Sequence, residues 1–215
     1  MRKILFMMAF CCICLTLMAQ GGDRQVRQKI SQAASAIKTM QCDFVQTKHM
    51  KMLNNAMVSK GRMYYRQPSC LRWEYTTPYT YTFIFNHDKV LLKNAKRNDV
   101  IDVNQNKLFR EIAHIMLNSV VGNSLTDDKN FRSEISTVGG EWVATLLPQS
   151  REMKQMFSRI VLHISQIATP HSTLVEKLAV VTQVELIEKH GDKTVIDLKN
   201  IKTNETLSTD MFDVR

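Results

Sequence analysis

From Arg24 to Met40, apolar side chains recur at Val26, Ile30, Ala33, Ala34, Ile37 and Met40, which is the spacing of one face of an amphipathic helix. Beyond Cys42 the period changes from about 3.6 to two. Phe44 opens a first strand, and runs from Val58 to Arg66, Leu71 to Thr76 and Tyr79 to Phe85 supply three more. Asn86-His87-Asp88 predicts a hairpin turn into Val90-Leu91-Leu92, and Pro68 and Pro78 fall between runs, where a sheet tolerates proline. Val100 to Val103 adds a short strand. A second helical stretch carries Leu108, Ile112, Ile115, Met116, Ser119 and Val120 on one side and stops at Gly122-Asn123. Five further strands are expected near Phe131 to Val138, Glu141 to Leu147, Phe157 to Ser165, Leu178 to Glu188 and Thr194 to Leu198, with turns at Gly139-Gly140 and Gly191-Asp192. The predicted fold is mainly β with helices (α+β): a curved antiparallel sheet with helices against one side.

The strands are informative in their parity. Gly61, Met63 and Tyr65 share one face, while Arg62, Tyr64 and Arg66 take the other. Leu71, Trp73 and Tyr75 oppose Arg72 and Glu74; Tyr79, Tyr81, Phe83 and Phe85 oppose Thr80, Thr82 and Ile84. Adjacent strands therefore stack large aromatic and sulfur-bearing side chains on a common side. Parity alone favours an ordinary core over a binding face.

The N-terminus changes the setting of all this. Arg2 and Lys3 precede an almost unbroken apolar run from Ile4 to Leu17, and Ala19 offers a small residue before Gln20. That is the layout of a secretory signal peptide, too short for a comfortable membrane span, so residues 1–19 are expected to be removed and 20–215 to form a single domain. Cys11, Cys12 and Cys14 lack the small residues that precede an acylated cysteine. Cys42 and Cys70 remain; lying two strands apart, they are expected to be free, buried thiols. Without Arg2 and Lys3, 27 basic residues stand against 20 acidic ones, a balance suited to an anionic membrane surface or an acidic partner. Nucleic acid is a poor partner for an exported chain, and no basic cluster interleaved with aromatics appears.

Catalytic and cofactor chemistry finds little footing. The seven glycines form no phosphate-cradling or dinucleotide pattern, and His49, His87, His114, His163, His171 and His190 are scattered without metal-ligand spacing. Asp127-Asp128 reads as loop charge, and no nucleophile elbow occurs. No cofactor is expected, and a periplasmic hydrolase is the weaker alternative to a binding protein. The nine methionines beyond residue 19 favour adaptable apolar binding, because thioether chains repack around variable ligands.

The segment Gly61-Arg62-Met63-Tyr64-Tyr65-Arg66-Gln67-Pro68, followed by Leu71-Arg72-Trp73-Glu74-Tyr75 and Pro78, resembles the outer-membrane lipoprotein carrier family (LolA-like). Upstream Asp43-Phe44-Val45-Gln46-Thr47 and late Gly191-Asp192-Lys193-Thr194, with Phe212 near the terminus, extend the resemblance over essentially the whole chain after the leader. The resemblance implies an incomplete β-barrel whose concave apolar face is covered by helices acting as a lid. It further implies a soluble, monomeric periplasmic carrier that is not an enzyme. Such a carrier takes acylated lipoproteins from an inner-membrane transporter, covers their acyl chains and passes them to an outer-membrane acceptor. Free lipid, glycolipid or another apolar ligand is the alternative cargo.

On that basis the lipid-binding cavity is assigned to Phe44, Met63, Tyr65, Leu71, Trp73, Tyr75, Tyr81, Phe83 and Phe85. The lid is assigned to Gln67, Ile112, Ile115, Met116 and Val120, the last four by helical spacing. Related chains typically carry an arginine before the proline that follows the second strand, and it bonds lid-helix carbonyls. Here the position is Gln67, while Arg66 faces the opposite side. A neutral donor bonds more weakly than a charged one, so a looser lid or a different release step is expected.

Overall fold

The computed structural model describes residues 24–105, 110, 113, 115–119, 122, 125, 130–168 and 177–214. Its framework is a single antiparallel sheet of eleven strands, left open rather than closed into a barrel. A first helix, α1, spans 24–36. The chain then runs outward through a continuous meander: β1 (Thr39–His49), β2 (Met57–Arg66), β3 (Cys70–Thr77), β4 (Tyr81–Asn86), β5 (Lys89–Asn94) and β6 (Asn98–Asp102). It crosses to the opposite edge through a second helical segment, α2, of which 115–119 is described. From there β7 (Phe131–Val138), β8 (Glu141–Pro148), a short α3 (Arg151–Met156), β9 (Phe157–Ala168), β10 (Lys177–Glu188) and β11 (Lys193–Thr203) return to the centre, where β11 pairs with β1. The spatial order β6-β5-β4-β3-β2-β1-β11-β10-β9-β8-β7 is thus two meanders joined at β1 and β11.

Helix α1 ends earlier than its apolar spacing suggests. Ile37 still closes the last turn through its N–H to the Ala33 carbonyl at 3.1 Å, but Met40 is already an inward residue of β1, which begins at Thr39 and not at Phe44. The corner between helix and strand is pinned by Lys38 N–H to Asn204 Oδ1 (2.8 Å) and Gln67 N–H to the Lys38 carbonyl (2.8 Å). Tyr79, expected on β4, instead precedes that strand in the turn after Pro78 and is 80 % exposed. The expected strand at Val100 to Val103 is β6, two residues earlier, and Val103 is buried in the turn that follows it. The β4–β5 hairpin turns on His87-Asp88, with His87 at φ 56°, a left-handed conformation that a short connection requires.

The sheet's two faces differ. The inner face packs with α1 and α2 into the main core. On the outer face a smaller cluster of Cys70, Ile84, Leu91 and Phe212 is roofed by the C-terminal 3-10 turn Thr209–Phe212. Arg72 donates to the Met211 carbonyl (3.2 Å), Asn86 to the Phe212 carbonyl (2.9 Å), and the Arg66 guanidinium lies 4.7 Å from the Phe212 ring centre. Cys42 and Cys70 are both free and buried, as expected, and the strand parity places them on opposite faces. Residues 1–19, read as a signal peptide, lie outside the described residues. Among those described, no helix is long and apolar enough to cross a membrane.

Candidate functional site

Strand register assembles the predicted apolar residues into rows. Phe44, Gly61, Tyr75 and Tyr81 lie side by side across β1–β4. The next row is Cys42, Met63, Trp73, Phe83 and Leu92, and a third is Met40, Tyr65, Leu71, Phe85, Val90 and Ile101. All nine residues assigned to a cavity therefore share the inner face. Directly opposed antiparallel residues project to the same side, so parity along each strand and pairing between strands lead to one surface.

That surface continues into the returning meander, which the sequence reading did not assign to the site. Leu198 pairs with Phe44, and Ile196, Val184, Leu162, Ala144 and Ile135 form a row running to the far edge. Trp142 and Ile164 pair beside it, as do Leu146 and Ile160. The alternating burial of these strands carries the signal, but which strands adjoin depends on the long-range β1–β11 pairing, which no local pattern specifies.

The face is covered, not empty. Phe44, Met63, Tyr65, Leu71, Trp73, Phe83 and Phe85 are buried; Tyr75 and Tyr81 are half-buried at the rim. Ile30, Ala33 and Ile37 of α1 pack on it, with Ala113, Leu117 and Leu125 from the crossing segment. The Phe44 ring sits 4.5 Å from that of Trp73 and meets Tyr75 edge-on at 5.1 Å. Gly61 makes this approach possible: a Cβ there would lie 2.6 Å from Phe44 Cζ and 1.9 Å from the Glu74 carbonyl oxygen. Tyr75 donates its hydroxyl to Gln46 Oε1 (3.0 Å). The Trp73 indole N–H, by contrast, is buried with no acceptor at hydrogen-bond geometry among the described residues.

Burial governs the electrostatics of the face. It pushes the Cys42 thiol up to about 12, with neighbouring Asp43 adding to the effect, and the Tyr65 phenol up to about 12. Tyr75 and Tyr81 are raised too, again chiefly by burial. Every one of these groups is neutral near pH 7, so the rows they belong to carry no charge from them.

The lid residues fall out differently. Gln67 donates through Nε2 to the carbonyls of Ala34 (3.2 Å) and Ser35 (3.3 Å), at the C-terminal end of α1. Lys38 reinforces the contact, with Nζ 3.2 Å from the Ser35 carbonyl and 3.1 Å from Gln67 Oε1. At the other end of α1, Arg27 bonds Ser133 of β7 through both its hydroxyl and, at 2.6 Å, its carbonyl. Among the described residues, Gln67 thus engages α1. Arg66 points to the outer face, as parity expects. Ile115 and Met116 pack half-buried against the core, while Ala113, Leu117 and Ser119 of that segment are buried. Ile112 and Val120 lie outside the described residues.

Three solved structures align over most of both chains. They are a LolA superfamily protein of Nitrosomonas europaea (10% identity, 86% of this chain, 96% of that one, TM-score 0.46), a putative outer membrane lipoprotein-sorting protein domain of Vibrio parahaemolyticus (10%, 86% and 94%, 0.48), and the lipoprotein LppX of Mycobacterium tuberculosis (10%, 86% and 97%, 0.45). No curated protein sequence matches the chain significantly. The family model described as "Outer membrane lipoprotein carrier protein LolA" matches residues 35–215. With so much of its length matched, the chain belongs to the LolA outer membrane lipoprotein carrier family.

Proposed function

We propose that this protein is a periplasmic carrier that binds the acyl chains of lipoproteins on its inner apolar face and moves them from the inner to the outer membrane. One observation carries the reading: both meanders turn their apolar rows to one face, and among the described residues α1 and the crossing segment pack over it. Helices tied down by a few hydrogen bonds can leave such a face without breaking the sheet ladder. An acyl chain of about fifteen methylenes gains roughly 12 kcal/mol on burial, at about 0.8 kcal/mol per CH₂, enough to compete with a helix for the same surface. The uncharged tyrosines and thiol favour hydrocarbon over a polar ligand. On this reading the lid includes α1 as well as the crossing helix, and the protein holds cargo without transforming it. Its partners are acylated lipoproteins, an inner-membrane transporter and an outer-membrane acceptor.

The test adds the mature protein to spheroplasts carrying newly synthesised, labelled lipoproteins and follows label in the soluble fraction. Release as a one-to-one complex, lost in Phe83→Glu, is the expected result. Folded protein that releases none, yet extracts free phospholipid, assigns the same face to a lipid cargo and overturns the lipoprotein reading.

A further inference from the structure

Among the described residues, the large apolar side chains that stand exposed are Met52, Leu53, Met57, Val58, Tyr79, Val100 and Val138. Five of these seven share one end of the sheet. Met52 and Leu53 are 95 % and 54 % exposed at the tip of the β1–β2 hairpin, and Met57 and Val58 begin its return strand. Tyr79 belongs to the same end, because β3 reaches its turn where Thr77 pairs with Lys60 near the start of β2. Singly exposed apolar residues are ordinary, but this concentration is not.

The same end is basic. Lys51 lies in the hairpin, Lys60 on β2, Lys96 in the β5–β6 turn and Lys189 in the β10–β11 turn; all four are exposed, and none forms an ion pair among the described residues. Several carboxylates at this end are engaged by other groups: Glu188 by Lys48 (3.0 Å), Glu185 by Lys193 (2.9 Å), Asp99 by Arg97 (3.5 Å), and Asp192 by the Lys51 backbone N–H (2.9 Å). That last bond joins the hairpin to the β10–β11 turn. Apolar tips ringed by unpaired lysines match the two layers of an anionic bilayer surface, headgroup phosphates outside and acyl chains beneath.

We infer that this end of the sheet docks on anionic phospholipid membranes, with Met52 and Leu53 entering the acyl boundary and Lys51, Lys60, Lys96 and Lys189 meeting phosphates. The inference goes beyond cargo binding: it concerns hairpin tips, not the inner face, and is read by a different assay. Flotation of the mature protein is measured with vesicles of phosphatidylethanolamine and phosphatidylglycerol, and with phosphatidylcholine alone. Binding is expected to the anionic vesicles and to weaken about tenfold in high salt. The Met52→Asp/Leu53→Asp variant, altered only at exposed positions, is expected to lose about a hundredfold in partitioning. Val138→Asp, at the opposite end, is the matched control and keeps full binding. Equal binding by the Met52→Asp/Leu53→Asp variant, or no binding by unaltered protein, overturns the inference; the second outcome leaves the patch to a protein partner. Acylated-peptide capture measured on the same samples reports the inner face separately, so failure of one does not imitate failure of the other.

Discussion

On the proposed carrier reading, replacing Gln67 is the sharpest test of how α1 is held over the inner face. Its amide donates to two carbonyls at the C-terminal end of α1, at 3.2 and 3.3 Å, in a partly exposed setting. Each bond is worth about 0.5 kcal/mol net, the low end for neutral pairs that water can replace. Gln67→Ala therefore weakens closure by about 1 kcal/mol, and at equilibrium the open population rises about fivefold. Because apparent affinity scales with the open fraction, an acylated peptide displacing a fluorescent fatty-acyl probe should bind about fivefold more tightly. Lys38 can partly compensate through its own bond to the Ser35 carbonyl, so adding Lys38→Ala should raise the gain to about tenfold or more. Gln67→Arg should act in reverse, since a charge-assisted bond to the same carbonyls is about 1 kcal/mol stronger. The Cys42 thiol supplies an independent reading: it faces the covered core, so its alkylation, located by peptide mass, should speed up by the same factor. Unchanged affinity in Gln67→Ala, with unchanged Cys42 labelling, would refute the idea that this contact helps to close the lid.

Gly61→Ala drives a methyl into the Glu74 carbonyl at 1.9 Å and into the Phe44 ring, and is expected to cost about 3 kcal/mol or more, lowering Tm by about 10 °C; a shift under about 2 °C would contradict the packing. Trp73→Phe removes a buried N–H that has no acceptor among the described residues, recovering about 1–3 kcal/mol of desolvation against the volume lost, so urea unfolding should place it within about 1 kcal/mol of the unaltered protein; a loss above about 3 kcal/mol would show that the indole N–H is partnered. Stability should fall at alkaline pH. The folded state keeps the Cys42 proton up to about 12 while the unfolded chain releases it near 9.0, so stability drains away from about pH 9 upward, at about 1.4 kcal/mol per pH unit. Tyr65 adds the same trend above 10.0, and Cys42→Ala should flatten the slope between about pH 9 and 10; an unflattened slope removes Cys42 as its source.

The first meander was legible because its strands follow one another in sequence with turns of a few residues. Alternation within Met63-Tyr64-Tyr65, Leu71-Arg72-Trp73 and Tyr81-Thr82-Phe83 therefore identifies the shared face without knowledge of distant pairing. The partnership of β11 with β1 is a contact between opposite ends of the chain, and the rows it adds (Leu198, Val184, Leu162) have the right alternation but no local marker of their neighbour. The overrun of α1 has a specific cause. Met40 keeps helical spacing from Ile37 and also period-two spacing to Cys42 and Phe44, so one residue satisfies both patterns and the corner bonds at Lys38 and Thr39 decide. Tyr79 is the converse: it alternates in phase with Tyr81, yet Pro78 and the turn place it outside the ladder. Six-residue α3 has too little length for periodicity, although Ser150 caps it by accepting from the Met153 N–H. Gln67 was singled out by position, but its partner helix lies more than thirty residues upstream and only the packed corner reveals it.

The residues covering the inner face bear on how strongly a carrier of this build can hold cargo. Helix α1 and the turn that closes it insert two isoleucines, Ile30 and Ile37, and otherwise contribute Ala33, Ala34 and the half-buried Val26. Two isoleucines contribute roughly 3–6 kcal/mol of burial and the alanines little more. That is below the roughly 12 kcal/mol of one acyl chain, so a chain can displace the helix, yet it is a large enough fraction to keep the net affinity moderate. For displacement of α1 alone, with the crossing segment left in place, the difference of about 6–9 kcal/mol before ordering costs corresponds to dissociation constants near the micromolar range. A lid faced with leucines would approach the acyl chain's own burial energy and shut cargo out. One faced with alanine alone would leave cargo bound too tightly to pass on. The mixture of Ile and Ala on α1 sits between those failures, with the Gln67 and Lys38 bonds as the finer adjustment.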